Sequence, residues 1–140
     1  HEGYNDALAA CSMCLDSTEI TMLTADCTIE GGRSVGSQIL QMRERPTAVV
    51  CMSDIIAVGC QLELQAAGIL VPADISIVGF DNIIEAAMTT PSLTTVDQPG
   101  GEKGRQAAEL LFRQIRNEQL EHYHVIVPYR IITRDSLGTV

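Results

Sequence analysis

A chain of 140 residues has room for one compact domain or for one half of a larger one. Hydrophobic residues at 46% and charged residues at 19% are the balance of a folded core, which excludes intrinsic disorder, and no apolar run approaches the length of a membrane span. Nine basic against eighteen acidic residues leave a formal charge of -9, and aromatic residues are 4% with no tryptophan, so this polypeptide by itself neither attracts phosphate nor offers stacking platforms for bases.

The chain opens on a helical repeat. Tyr4, Ala7, Leu8, Cys11 and Cys14 recur at helical spacing, with no capping residue ahead of them and no initiating methionine, which reads as a fragment cut at or just inside a helix. Residues 19–24 read as a short strand. Residues 28–42 read as a helix, with Thr28 able to cap it, Glu30 in its first turn, and Val35, Ile39 and Met42 on one face. After Pro46, the run Ala48-Val49-Val50-Cys51-Met52 is continuously apolar, the pattern of a strand covered on both sides. Ser53-Asp54 then caps a helix to about Ala67, which Gly68 ends. Residues 75–80 and 93–96 read as strands and 99–117 as a long helix with Gly104, Ala107, Ala108, Leu111 and Ile115 on one stripe. Residues 123–127 and 129–133 read as extended, split by Pro128. Strand and helix in alternation indicate an α/β fold, a doubly wound parallel sheet with helices on both faces.

The cysteines, Cys11, Cys14, Cys27, Cys51 and Cys60, are odd in number and follow no secretion signal, so a disulfide framework is disfavoured and a reduced, cytoplasmic location fits. Cys11-Ser-Met-Cys14 has redox spacing but ends a helix pattern instead of opening one after a strand. Cys51 and Cys60 lie among apolar residues, where cysteine acts as a small hydrophobe.

The helix over 55–67 carries two apolar stripes, one through Ile55, Val58, Gly59, Leu62 and Ala66, the other through Ile56, Cys60, Leu64 and Ala67. A helix lying on a sheet needs only one. The second stripe, together with the apolar segment Ile83-Ile84-Glu85-Ala86-Ala87-Met88, suggests a dimer contact, although burial inside a larger single chain would give the same pattern.

Open parallel sheets bind ligands at the carboxyl ends of their strands. Those ends run here into Asp26-Cys27-Thr28, Ser53-Asp54, Asp81-Asn82 and Asp97-Gln98, all short groups able to exchange hydrogen bonds with a polyol or a polar heterocycle. Each has a plainer reading as a helix cap or turn; the repetition over four strand ends is what favours a site. Catalytic signatures are weak. Gly31-Gly-Arg-Ser-Val-Gly36 has the glycine spacing of a phosphate loop, but Ser37-Gln38 follows where Lys-Ser/Thr is required. His122-x-His124 lacks a third nearby ligand, and no nucleophile has a base at recognisable spacing, so neither a metal, a cofactor nor a catalytic role is assigned.

Three segments, Pro46-Thr-Ala-Val-Val-Cys-Met-Ser-Asp54-Ile-Ile-Ala-Val-Gly59, Gly68-Ile-Leu-Val-Pro-Ala-Asp-Ile-Ser-Ile-Val-Gly-Phe-Asp81-Asn82 and Pro91-Ser-Leu-Thr-Thr-Val-Asp-Gln98-Pro99, closely resemble the lactose/galactose repressor family of bacterial transcription regulators, and Arg130-Ile-Ile-Thr-Arg134-Asp-Ser looks like that family's final strand. The resemblance implies a periplasmic-binding-protein-like core of two subdomains, with a small-molecule effector, usually a sugar or purine, bound between them. It also implies operator DNA held by an N-terminal helix-turn-helix domain outside this chain. Residues 1–97 would form the C-terminal subdomain, 98–128 a crossover and a helix belonging to the N-terminal one, and 129–140 the returning strand. Asp81 matches the family's effector-binding aspartate, Ser53 the polar residue beside Asp54 that reaches the ligand, and Gln98 lies on the crossover near the cleft. Cys27 matches a site commonly aromatic, so the family's ring-stacking contact is missing. Val58, Leu62 and the segment with Ile83, Ile84, Ala87 and Met88 match regions of homodimer contact. The helix over 99–117 would then lack its sheet, and it is expected either to dock on another copy or to be poorly ordered rather than to pack into the sheet present here. A transport protein of the same fold is the alternative reading, and an enzyme on a doubly wound sheet a distant third.

Overall fold

The computed structural model describes residues 2–10, 20–119 and 124–138. Helix α1 spans Glu2–Ala10; the rest of the expected first helix, with Cys11 and Cys14, lies outside the described residues, as do residue 19, His122 and Tyr123. Helix α2 runs Ile29–Gln41. Thr28 caps it as expected, its Oγ1 accepting from the Gly31 amide at 2.9 Å, and Val35 and Ile39 turn inward. Strand β1 is Ala48–Val50, α3 is Asp54–Ala66, β2 is Ser76–Phe80, and a single 3-10 turn occupies Ile84–Ala87. Strand β3 (Thr94–Asp97), helix α4 (Gly100–Ile115) and strand β4 (Arg130–Ile132) complete the chain.

The sheet order is β1-β2-β3-β4. The first three strands are parallel, with Val49 opposite Ile77 and Val78 opposite Thr94, while β4 runs antiparallel to β3, Val96 facing Ile131. The sheet is therefore mixed, not wholly parallel. The chain leaves β3 at its carboxyl end and, after α4, re-enters at that same end, Arg130 opposite Asp97, which dictates an antiparallel partner. Residues 20–25 form no ladder with β1, against the expectation of a strand at 19–24: only Leu23 and Ala25 reach the core, and the alternate threonines stay exposed. Residues 124–127 likewise run without strand pairing.

Helix α3 packs on β2, and α2 packs along α3. The glycine run that mimics a phosphate loop serves this contact. A Cβ on Gly32 would strike the Ile56 carbonyl and the Gly59 Cα, and one on Gly59 would strike the Ile29 carbonyl, so the two helices touch backbone to backbone. Around them Ile39, Leu64, Ile75, Ile77 and Leu93 are fully buried, each such side chain contributing about 1.5–3 kcal/mol of hydrophobic stabilisation. Cys51 and Cys60 belong to this core, and burial pushes their thiols up to about 12 and about 11. Ser136 ties β2 and β3 together at their start. It is fully buried, donating to the Ile77 carbonyl at 2.6 Å and accepting from the Thr94 amide at 2.8 Å.

Val58, expected at a contact between chains, is instead buried in this chain's own core, because α3 turns that part of its stripe towards the sheet. Ile83 is half-buried against the core, whereas Leu62, Ile84, Ala87 and Met88 are exposed. Helix α4 carries no buried residue; Leu111, Phe112 and Ile115 are 56%, 59% and 65% exposed, so the helix is not packed into this sheet.

Candidate functional site

The polar residues at the strand ends form one connected frame. Its base is Asp54, the first residue of α3. Asp54 was expected to reach a ligand, but it is fully buried, and the structure commits both of its oxygens internally. Oδ1 accepts from the Thr95 hydroxyl at 2.6 Å and Oδ2 from the Ile83 amide at 2.9 Å. Gly79 makes this possible, since a Cβ there would collide with the Asp54 carboxylate. A buried carboxylate without such donors would be costly, and the two charge-assisted bonds stabilise it.

Asp54 and Thr95 in turn set the backbone after β2. Asp81 and Asn82 both have left-handed conformations, φ 116° and 55°. Such conformations cost about 1–3 kcal/mol in residues other than glycine and persist only where the surroundings over-determine them. Here the Ile83 amide is anchored on Asp54 and the Asn82 amide on Thr95 Oγ1 at 3.3 Å. The result is an exposed Asp81 side chain at the carboxyl end of β2, where its Oδ1 accepts from Gln98 Nε2 at 2.7 Å.

Asn82 turns the other way. Its Nδ2 donates to Asp97 Oδ1 at 3.2 Å and its Oδ1 accepts from Arg134 Nη2 at 2.7 Å, while Arg130 Nε donates to Asp97 Oδ2 at 2.8 Å. The bond from Arg130, then that from Asn82, holds the Asp97 carboxyl below the usual carboxylate range. Beyond the end of β1, Cys27 Sγ, which follows the unpaired segment 20–25, lies 3.3 Å from Ser53 Oγ. Ser53 stands at the N-cap of α3 as expected, but its hydroxyl makes no capping bond to the helix and meets Cys27 instead. Ser53 is buried and Cys27 exposed, so the thiol is the more accessible of the pair.

Of the residues singled out from the sequence, Asp81 and Gln98 thus stand on the frame and Asp54 lies beneath it, while Ser53 and Cys27 form a separate pair. Sequence reasoning passed over Thr95, Arg130, Arg134 and Lys103. Their partners are non-local or, for Lys103, lie in a helix read only for its apolar stripe; the one available signal was that two arginines close the segment 130–134 beside a sheet rich in terminal aspartates. A crevice of about 260 Å³ adjoins the frame, lined by Phe80, Val96, Gln98, Lys103, Pro128 and Tyr129 among others. Among the described residues no group of three or more His, Cys, Asp or Glu side chains is placed to hold a metal ion.

The chain belongs to the periplasmic binding protein-like domain family, whose pattern residues 3–137 match. Within that family the likeness runs to LacI-type regulators. The HTH-type transcriptional repressor CytR of Escherichia coli (strain K12) is 36% identical over 135 residues, 96% of this chain and 39% of that protein. The ribose operon repressor of Haemophilus influenzae is 35% identical over 136 residues, 97% of this chain and 40% of that protein. Among solved structures, a LacI family transcriptional regulator from Enterococcus faecium with bound ribose superposes with a TM-score of 0.85 at 29% identity, covering 99% of this chain and 50% of that one. The transcriptional regulator CelR in complex with cellobiose gives 0.83 at 30% identity, covering 96% and 40%. The chain spans about two fifths of the length of the curated relatives it matches.

Proposed function

We propose that this chain is the greater part of the C-terminal subdomain in the effector-sensing, dimerising core of a bacterial transcriptional regulator, a repressor that works in the cytoplasm. The observation that carries this reading is the Asp81 carboxylate, exposed at the end of β2 on a left-handed backbone that the buried Asp54 holds in place. A fixed acceptor of this kind suits the hydroxyl donors of a sugar or the N–H donors of a purine. Gln98 stands beside it as a donor held against the carboxylate, and Ser53 and Cys27 supply smaller polar contacts close by. With cysteine in place of a ring at position 27, hydrogen bonds rather than stacking decide which effector is held.

Residues 1–97 and 129–140 form the C-terminal subdomain in this reading, and 98–128 cross to its N-terminal counterpart. The unpacked apolar stripe of α4 supports that division. Leu62, Ile84, Ala87 and Met88 form the homodimer contact. Operator DNA is held by a helix-turn-helix domain elsewhere in the regulator, in keeping with the acidic charge of this chain. Effector binding shifts the population between two arrangements of the subdomains, and so changes operator affinity. That the relatives named above are repressors and regulators supports this reading over a transport component.

The test is a thermal-shift screen of the full-length regulator carrying this chain against ribose, cellobiose, other sugars, sugar phosphates and purines, with Asp81→Ala alongside. The expected result is stabilisation by one class, about 2.7 kcal/mol at a ligand concentration of 100 Kd, and its loss in the variant. Stabilisation that survives Asp81→Ala would move the site away from this frame.

A further inference from the structure

Helix α4 has no buried residue, yet its first turn is tied to the ligand-facing carboxylate. Lys103 Nζ donates to Gln98 Oε1 at 2.5 Å, and Gln98 Nε2 donates to Asp81 Oδ1 at 2.7 Å. An amide is asymmetric: an ammonium can sit only at its oxygen and a carboxylate only at its nitrogen. With a cation at one end and an anion at the other, Gln98 is locked in the orientation that presents a donor to Asp81, and each bond polarises the other. Both outer members are exposed, so each link alone is weak; its effect comes from where it leads, across the crossover from α4 to the end of β2. Lys103 and Gln98 also line the 260 Å³ crevice between the crossover segments, which leaves the tie room to rearrange.

We propose that Lys103 is a positioning residue for effector sensing, which acts through Gln98 to orient Asp81 and thereby couples the placement of α4 to occupancy of the site. The inference rests on the effector-sensing reading above and extends it to the means by which one subdomain registers a ligand held by the other. When a ligand donor takes the Asp81 oxygen that Gln98 occupies, Gln98 and Lys103 are released together, and the first turn of α4 loses its anchor. With the tie intact but Asp81 free to accept at its remaining lone pairs, the ligand meets a carboxylate already aimed.

The test is a double-mutant cycle on the full-length regulator, with ribose, cellobiose and a purine base as probes, read by titration calorimetry. Lys103→Met keeps the side-chain stem and removes the charge; Gln98→Leu removes the amide; the double variant removes both. Lys103→Met is expected to change the affinity of the responsive probe about threefold to tenfold, with the melting temperature of the ligand-free protein unchanged, and Lys103→Arg is expected to restore it. In the Gln98→Leu background, Lys103→Met is expected to have no further effect. The same change in both backgrounds would mean that Lys103 acts on the ligand directly or by bulk charge, and would overturn the relay while leaving the effector site standing. Absence of a response to every probe in the unaltered protein would overturn the effector-sensing reading itself, and the relay with it.

Discussion

The carboxylate of Asp54 and the hydroxyl of Thr95 meet at 2.6 Å across 41 residues of sequence, both buried, and the left-handed turn that presents Asp81 is built on that contact. Asp54 and Asp81 are thereby given different work. One holds the turn from beneath, and the other projects from it.

Substituting the two aspartates should separate these roles. Asp54→Ala strands the Thr95 hydroxyl and the Ile83 amide in a dry site, with an expected loss of about 3 kcal/mol in chemical denaturation. Asp81→Ala removes an exposed side chain and leaves the core bonds intact, so its loss should be limited to about 1 kcal/mol, the cost of alanine on a left-handed backbone. Equal losses in both would show that Asp54 is not the support of the turn.

Two glycine-to-alanine changes should have opposite signs. In Gly59→Ala the new methyl meets the backbone of Ile29 and Gly32, forcing α2 and α3 apart at an expected cost of about 1–3 kcal/mol. Gly104, within α4, has open space around it, so Gly104→Ala should gain up to about 1 kcal/mol of helix propensity. Circular dichroism melts of the two variants check the contrast.

The thiols should react in an order set by exposure. Iodoacetamide near pH 8 is expected to label Cys27 while Cys51 and Cys60 stay protected until the protein unfolds, as read by peptide mass mapping. The same burial makes the fold alkali-sensitive. The unfolded chain releases these protons near pH 9, whereas the folded one holds them to about 11 and about 12, so the folded state binds more protons and stability falls as pH rises from 9. A denaturation midpoint unchanged between pH 8 and pH 10 would contradict this.

If Ile84 and Met88 lie in a homodimer contact, charge there should weaken association without disturbing the fold, because both are more than three-quarters exposed in the single chain. Ile84→Asp with Met88→Asp should shift sedimentation of the full-length regulator from dimer towards monomer, with the far-ultraviolet spectrum intact.

Much of this was legible in the residues. The strand Ser76–Phe80 carries its own burial signal, and Thr28 with Glu30 announces the start of α2 by local chemistry. The apolar run at 48–52 reads as a strand covered on both sides, but β1 is the edge strand and leaves Ala48, Val50 and Met52 exposed, with only Cys51 fully inside. Asp54 shows where such reading stops. A polar residue following a strand and opening a helix can face a ligand or the core, and only the missing side chain of Gly79, together with a hydroxyl arriving 41 residues later, turns it inward. The first expected strand failed for a related reason: the alternation around Leu23 and Ala25 is real, but pairing requires a neighbour that local pattern does not specify.

Ser136, Arg134 and Arg130 lie some 33 to 59 residues beyond their partners in sequence, yet they close the seam between β2 and β3 and satisfy Asn82 and Asp97. During synthesis those partners emerge only after the earlier strands and α3 have been made. The polar end of the sheet therefore stays open while the strands and helix that precede it are already made, and it closes only when residues 130–136 arrive.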